Sequence, residues 1–153
     1  MTNLFVNRWY HSLLLGAALL VASPANEAQA QELMYNPIYL RSNREVADTL
    51  SDRDIPTGEG GFARDYRVPL EGGDQVAIDL LSEDFDAVVI LIAADGSTVA
   101  ENDDGPDGTT NSLLFARIPE DEAGEYIVRV RAFGETGGGE FTLKITRLRP
   151  IED

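Results

Sequence analysis

Hydrophobic positions along the chain follow two different rules. Residues 13–22, Leu-Leu-Leu-Gly-Ala-Ala-Leu-Leu-Val-Ala, form one unbroken apolar run. From Arg44 onward, apolar residues instead recur at every second position in short blocks, separated by Gly, Asp, Asn and Pro at intervals of roughly ten to fifteen residues, the pattern of an antiparallel sandwich or barrel. Side chains in a strand point to alternate faces, so each block reports which face it buries. Val76, Ile78 and Leu80 alternate with Gln75 and Asp79, which predicts a half-buried strand. Asp86 to Ile92 is apolar in both phases after its first residue, as expected of a strand covered on both faces in the middle of the core. Asp95-Gly96 favours a tight hairpin turn into Ser97 to Ala100. Tyr126, Val128 and Val130 alternate with Arg129 and Arg131, and Phe141, Leu143 and Ile145 alternate with Thr142, Lys144 and Thr146. These last two strands are predicted to pair with each other across Gly134 to Gly139. Weaker alternation predicts strands at Val46 to Leu50, Phe62 to Val68 and Leu113 to Ile118, for a total of about eight. No amphipathic helix of useful length is present.

The apolar run belongs to a leader. Arg8 gives a positive start, and Ala28-Gln29-Ala30 supplies a small-x-small cleavage site after the run. Ten helical residues span only about 15 Å against a hydrocarbon core of about 30 Å, so a secretory signal peptide over 1–30, cleaved after Ala30, is expected rather than a membrane anchor. No Cys follows it to carry a lipid. Residues 31–43 contain Pro37 and no periodicity and read as a tether, 44–148 as the folded module and 149–153 as a tail. The product is expected in the periplasm or outside the cell.

Removing the leader narrows the possible chemistry. His11 and Trp9 are the only His and Trp of the chain and both lie in 1–30, so the remaining 123 residues have no His, no Trp and no Cys. A Ser-His-Asp triad, a Cys nucleophile and most zinc sites are thereby excluded. The only Lys, Lys144, sits in an alternating strand and reads as solvent-facing rather than as the base of a Ser-Lys pair. No disulfide can assist folding. The Gly-rich loops lack the helix N-terminus and Lys of a phosphate cradle and read as turns. A formal charge of -15 opposes nucleic acid and anionic headgroups as partners.

That charge is unevenly distributed. Between Arg67 and Arg117 there is no basic residue, yet the interval holds eleven acids: Glu71, Asp74, Asp79, Glu83, Asp84, Asp86, Asp95, Glu101, Asp103, Asp104 and Asp107. Crowded carboxylates repel each other unless a cation relieves them, and calcium is the hard, oxygen-liganded ion suited to an exported protein. The densest stretch is Glu101-Asn102-Asp103-Asp104-Gly105-Pro106-Asp107-Gly108, with Ser82 to Asp86 placed to face it across a sheet end. It does not follow the EF-hand spacing, and acidic turns that keep the domain soluble are the competing account.

Tyr66-Arg67-Val68-Pro69-Leu70, Gly73 to Leu80 (Gly-Asp-Gln-Val-Ala-Ile-Asp-Leu), Asp84-Phe85-Asp86, Asp95-Gly96, Glu101-Asn102-Asp103-Asp104-Gly105, Gly124 to Val130 (Gly-Glu-Tyr-Ile-Val-Arg-Val) and Gly139-Glu140-Phe141-Thr142-Leu143 occur in an order and spacing that closely resembles the bacterial pre-peptidase C-terminal domain. The resemblance runs from about Arg44 to Leu148. It implies an all-β, antiparallel jelly-roll-like β-sandwich, of the kind usually appended to secreted peptidases, with related collagen-binding modules that bind calcium and an extended protein ligand. By position, Asp86 matches the acid after Phe in the family pattern, and Asn102, Asp103 and Asp104 match its acidic turn. With Asp107 these are the candidate calcium ligands; a strand-start carboxylate bonded to loop amides is the alternative for Asp86.

The expected function is a non-catalytic exported module that binds a protein or polysaccharide. The alternatives are an accessory or inhibitory partner of a separately encoded secreted peptidase, or a carboxylate-based glycoside hydrolase, which needs no His. Against the hydrolase, Phe85, Phe115, Tyr126 and Phe141 read as core rather than as sugar platforms. Arg129, Arg131 and Phe133, in the phase opposite Tyr126 and Val128, are candidates for a binding face, with an ordinary polar sheet face as the competing reading.

Overall fold

The computed structural model describes residues 35–41, 44–58, 60–106, 108–134 and 137–148. The leader, the start of the tether, Asp107 and the tail lie outside these residues. The chain divides into two units, Met1–Asn36 and Pro37–Asp153, and every described strand lies in the second. The strands are β1 (Ile38–Tyr39), β2 (Arg44–Leu50), β3 (Ile55–Pro56), β4 (Phe62–Leu70), β5 (Gln75–Leu81), β6 (Ala87–Ile92), β7 (Thr98–Asn102), β8 (Ser112–Arg117), β9 (Gly124–Ala132) and β10 (Gly139–Leu148). One sheet has the order β1-β4-β9-β6-β7, with β3 also paired to β4, and the other the order β2-β10-β5-β8. Every pair is antiparallel except β1 with β4.

The predicted alternation fills the space between the sheets. Tyr66, Val68, Val89, Leu91, Val128 and Val130 from the first sheet meet Leu50, Ile78, Leu80, Leu143 and Ile145 from the second, in one buried cluster. Phe141 sits edge-on to two rings, with centroids 6.4 Å from Tyr66 and 6.3 Å from Phe85. Such edge-to-face pairs add to simple area burial. The Asp95-Gly96 hairpin forms as predicted. Gly96 has φ 86°, Ala93 N–H donates to Ser97 O at 2.8 Å, and Asp95 Oδ1 accepts from Ser97 N–H at 2.9 Å.

Three expectations need correction. β9 and β10 do not pair: β9 lies between β4 and β6, β10 lies between β2 and β5, and residues 133–138 carry the chain from one sheet to the other. Both strands bury their apolar phase, as predicted, but face each other across the core. Phe115 is not core. Its register partner is Ala77, on the outer face of the second sheet, and it is 63% exposed. Part of the supposed tether also belongs to the domain: Ile38 and Tyr39 pair in parallel with Tyr66 and Arg67, Leu40 N–H donates to Arg67 O at 2.9 Å, and the Leu40 side chain joins the core. The Arg67 guanidinium lies 5.9 Å from the Tyr39 ring centre. This short strand covers part of an edge that would otherwise be open for pairing.

Candidate functional site

Strand direction decides which loops share an end. β5 runs from Gln75 to Leu81, and its antiparallel neighbour β8 starts opposite Leu80 and ends opposite Gln75. The loop after Leu81 and the loop leading into Ser112 are therefore at one end. In the other sheet, Asn102 pairs with Val89, which brings Asp86 and the residues after Asn102 to one sheet end. Side chains tie the two loops together. Thr110 Oγ1 donates to Ser82 O at 2.9 Å, Ser82 N–H donates to Asn111 Oδ1 at 3.0 Å, and Ala87 N–H donates to Thr110 O at 2.9 Å. Ser82 to Asp86 thus lies against the Thr110-Asn111 end of the loop that carries the acidic stretch.

Asn102 closes that loop. Its Nδ2 donates to Asp104 O at 2.5 Å and to Leu113 O at 2.8 Å, while its own carbonyl accepts from Ser112 Oγ at 2.7 Å. The Asn102 Nδ2 is thus committed to backbone carbonyls. Asp103, Asp104 and Asp86 are exposed, and the Asp86 carbonyl accepts from Phe133 N–H at 2.8 Å. Among the described residues no group of three or more His, Cys, Asp and Glu side chains could hold a metal ion. Calcium takes six to eight oxygens, backbone carbonyls, amides and waters among them, and no coordination geometry follows from the described residues.

Sequence reasoning missed the carboxylate that shapes this end. Asp84 Oδ2 accepts from Glu140 N–H at 2.7 Å, Ser82 Oγ donates to Glu140 O at 2.8 Å, and Asp84 N–H and Phe85 N–H both point to Ser82 Oγ, at 3.1 and 3.3 Å. Together they hook the β5–β6 loop onto the start of β10. Beside the hook lies an open groove of about 620 Å³ on the outer face of the second sheet. Its floor is the row Ala47, Thr142 and Leu81, which are register neighbours, with Thr49 beside Glu140 in the next row. Ser82, Glu83, Asp84 and Asn111 form the wall. The alternation of β10 already placed Thr142 outward; nothing local placed the loop above it.

Behind the groove, Asp48 bridges the two sheets. Arg64 from β4 donates to Asp48 Oδ1 and, through Nε, to Asp54 Oδ1 at 2.8 Å, and Tyr66 Oη donates to Asp48 Oδ2 at 2.9 Å. Burial pushes the Asp48 carboxyl up, but the bonds from Thr49 N–H, Arg64 and Tyr66 outweigh it and leave its pKa below the usual 3.8. Burial first, then the hydrogen bond to Asp48 and its charge, pushes Tyr66 well above its ordinary 10.0. A carboxyl whose pKa is depressed by folding contributes stability above its unfolded value, and that contribution is lost as pH falls through the folded one. The domain is therefore expected to lose stability below about pH 4, and Asp48→Asn is expected to flatten that acid limb in pH-dependent urea melts. An unchanged limb would remove Asp48 as its source.

The other proposed face is an ordinary one. Arg129 Nε and Nη2 donate to the fully buried Asp65 carboxylate at 2.7 and 2.8 Å, and Arg131 pairs with Glu101 at 2.7 Å, so both cations serve cross-strand pairs, while Phe133 is exposed.

Comparison with known proteins bears on the whole sandwich. The domain is similar to the pre-peptidase C-terminal domain of collagenase from Bacillus anthracis, with TM-score 0.54 and 12% identity over 72% of this chain and 95% of that one. It is also similar to PliG of Aeromonas hydrophila, a periplasmic lysozyme inhibitor of g-type lysozyme, with TM-score 0.52 and 11% identity over 72% of this chain and 96% of that one. At such identities the likeness is one of fold. No curated protein sequence matches the chain. Residues 63–132, from β4 through β9, match the family model of the bacterial pre-peptidase C-terminal domain, and this part of the sandwich is a domain of that family.

Proposed function

We propose that the protein is a non-catalytic module that binds a protein or polysaccharide in the periplasm or outside the cell. The observation that carries this reading is the open groove at the hooked end of the sandwich, on a chain whose residues beyond 30 contain no His and no Cys. With Lys144 away from the groove lining, carboxylates are its candidates for hydrolysis, and Phe141, the aromatic residue that borders the groove, is turned into the core and offers no sugar platform. A second reading, an inhibitory or accessory partner of a separately encoded enzyme such as a secreted peptidase, is supported by the fold shared with a periplasmic lysozyme inhibitor. The leader-like pattern of 1–30 and the family membership support export.

Calcium enters this reading as a counter-charge for the acidic edge, supported by the charge imbalance between Arg67 and Arg117. The test is binding of purified exported protein to envelope proteins and glycans, with and without calcium. A saturable partner and no turnover is the expected result; hydrolysis abolished by changing one carboxylate would end the reading. At about 2 mM calcium and a dissociation constant near 0.1 mM, stabilisation would be about 1.8 kcal/mol. A melting midpoint unmoved by chelator at low ionic strength removes calcium from it.

A further inference from the structure

The groove on the outer face of the second sheet carries one charge sign. Four acidic residues border it and no cationic one does: Glu83, Asp84 and Glu140 stand on its side, while the Asp48 carboxylate turns inward to Arg64 and Tyr66. Two of the four already have work in the fold. Asp48 is held by Arg64 and Tyr66, and Asp84 by the Glu140 N–H. Glu83 and Glu140 are exposed at the rim, and neither takes part in any of the ion pairs among the described residues. Relief from nearby is small. Lys144, the only Lys of the chain, stands one row further along β10, between its register partners Glu45 and Asp79. At the floor, Leu81 is 48% exposed beside the small side chains of Ala47 and Thr142, so an aliphatic stem could lie there while its charged end reaches the rim.

We propose that this groove holds a short Lys- or Arg-bearing segment of a protein partner, with a methylene stem on Leu81 and its cation at Glu83 and Glu140. This inference rests on the binding-module reading and names the class of partner. Charge complementarity selects it. The net charge of -15 steers cations inward and repels anionic chains, and a groove without an exposed ring gives a neutral sugar nothing to stack on.

The test is a titration of isotope-labelled exported protein with a capped Lys-Ala-Lys-Ala-Lys peptide, its Gln-Ala-Gln-Ala-Gln counterpart and a neutral chito-oligosaccharide, followed by amide chemical shifts. The basic peptide is expected to shift Ala47, Thr49, Leu81 and Thr142 saturably, and the Gln peptide is not. The variant Glu83→Gln/Glu140→Gln is expected to weaken binding about five- to tenfold at low salt. Asp121→Asn/Glu122→Gln removes the same net charge from the loop between β8 and β9, at the opposite end of the sandwich, and is expected to leave affinity within about twofold. Equal losses in both variants, or shifts centred on Asp103 and Asp104, would overturn the proposal, because binding would then follow net charge alone or the acidic loop. Shifts in the groove with the oligosaccharide and none with the basic peptide would overturn the partner class while sparing the binding module. Cleavage of a probe would overturn the module reading itself.

Discussion

Phe141→Ala is expected to lower the unfolding free energy by about 3–5 kcal/mol, the range for a buried Phe whose cavity closes only in part. Phe141 is buried in the middle of the second sheet and touches rings from two other elements, Tyr66 on β4 and Phe85 in the loop before β6. Truncation therefore removes contacts that join both sheets and the loop that walls the groove. A domain without disulfides has a net stability of about 5–15 kcal/mol, so the loss takes a large part of the margin. Phe141→Leu keeps most of the volume and is expected to cost about 1–2 kcal/mol. Urea unfolding measures both. A cost below about 1 kcal/mol for the alanine variant would mean that the sheets do not close on this ring.

The second large effect is expected at Gly139. Its φ of +137° lies where residues with a Cβ are strained, and a Cβ there would press on the Asp84 side chain, with Cγ 2.8 Å away. Asp84 cannot yield without releasing the Glu140 N–H that it accepts. Backbone strain and the lost charge-assisted bond together predict a cost of about 2–4 kcal/mol for Gly139→Ala. Gly96→Ala is the control. It shares a positive φ, 86°, but its Cβ would meet nothing within 4 Å, so about 1 kcal/mol is expected. Equal costs at the two positions would show that the Asp84 contact contributes nothing, and that the hook at the head of the groove is not held there.

The contrast between these glycines also marks how far local sequence reaches. Asp95-Gly96 was readable because a tight turn is closed by its own neighbours: Asp95 bonds Ser97, two residues away. Gly139 was read only as part of a turn, because its constraint is Asp84, distant in sequence. The same division runs through the candidate site. Asn102, Asp103 and Asp104 are identifiable as an acidic turn, and Ser82 to Asp86 is a second acidic segment legible in the sequence. That the Asn102 amide would be used on Asp104 O and Leu113 O depended on where β8 returns. Leu40 and the two-residue strand before it gave no periodic signal, since two residues are too few to show a period. Phe115 misled because a large aromatic in an alternating block suggests core, whereas its phase is that of Arg117 on the outer face.

The sequence by itself determined the all-β class, the eight longer strands, the inward phase of β5, β9 and β10 and the acidic character of one end. Alternation is local, and burying one face of a strand needs no knowledge of its neighbour. Only the tertiary structure decided that β9 and β10 face each other across the core, that Asp84 hooks the loop over β10, and that a carboxylate-lined groove opens beside it. Those outcomes depend on which distant strands share hydrogen bonds, and a period of two is satisfied equally by a partner beside the strand and by one opposite it.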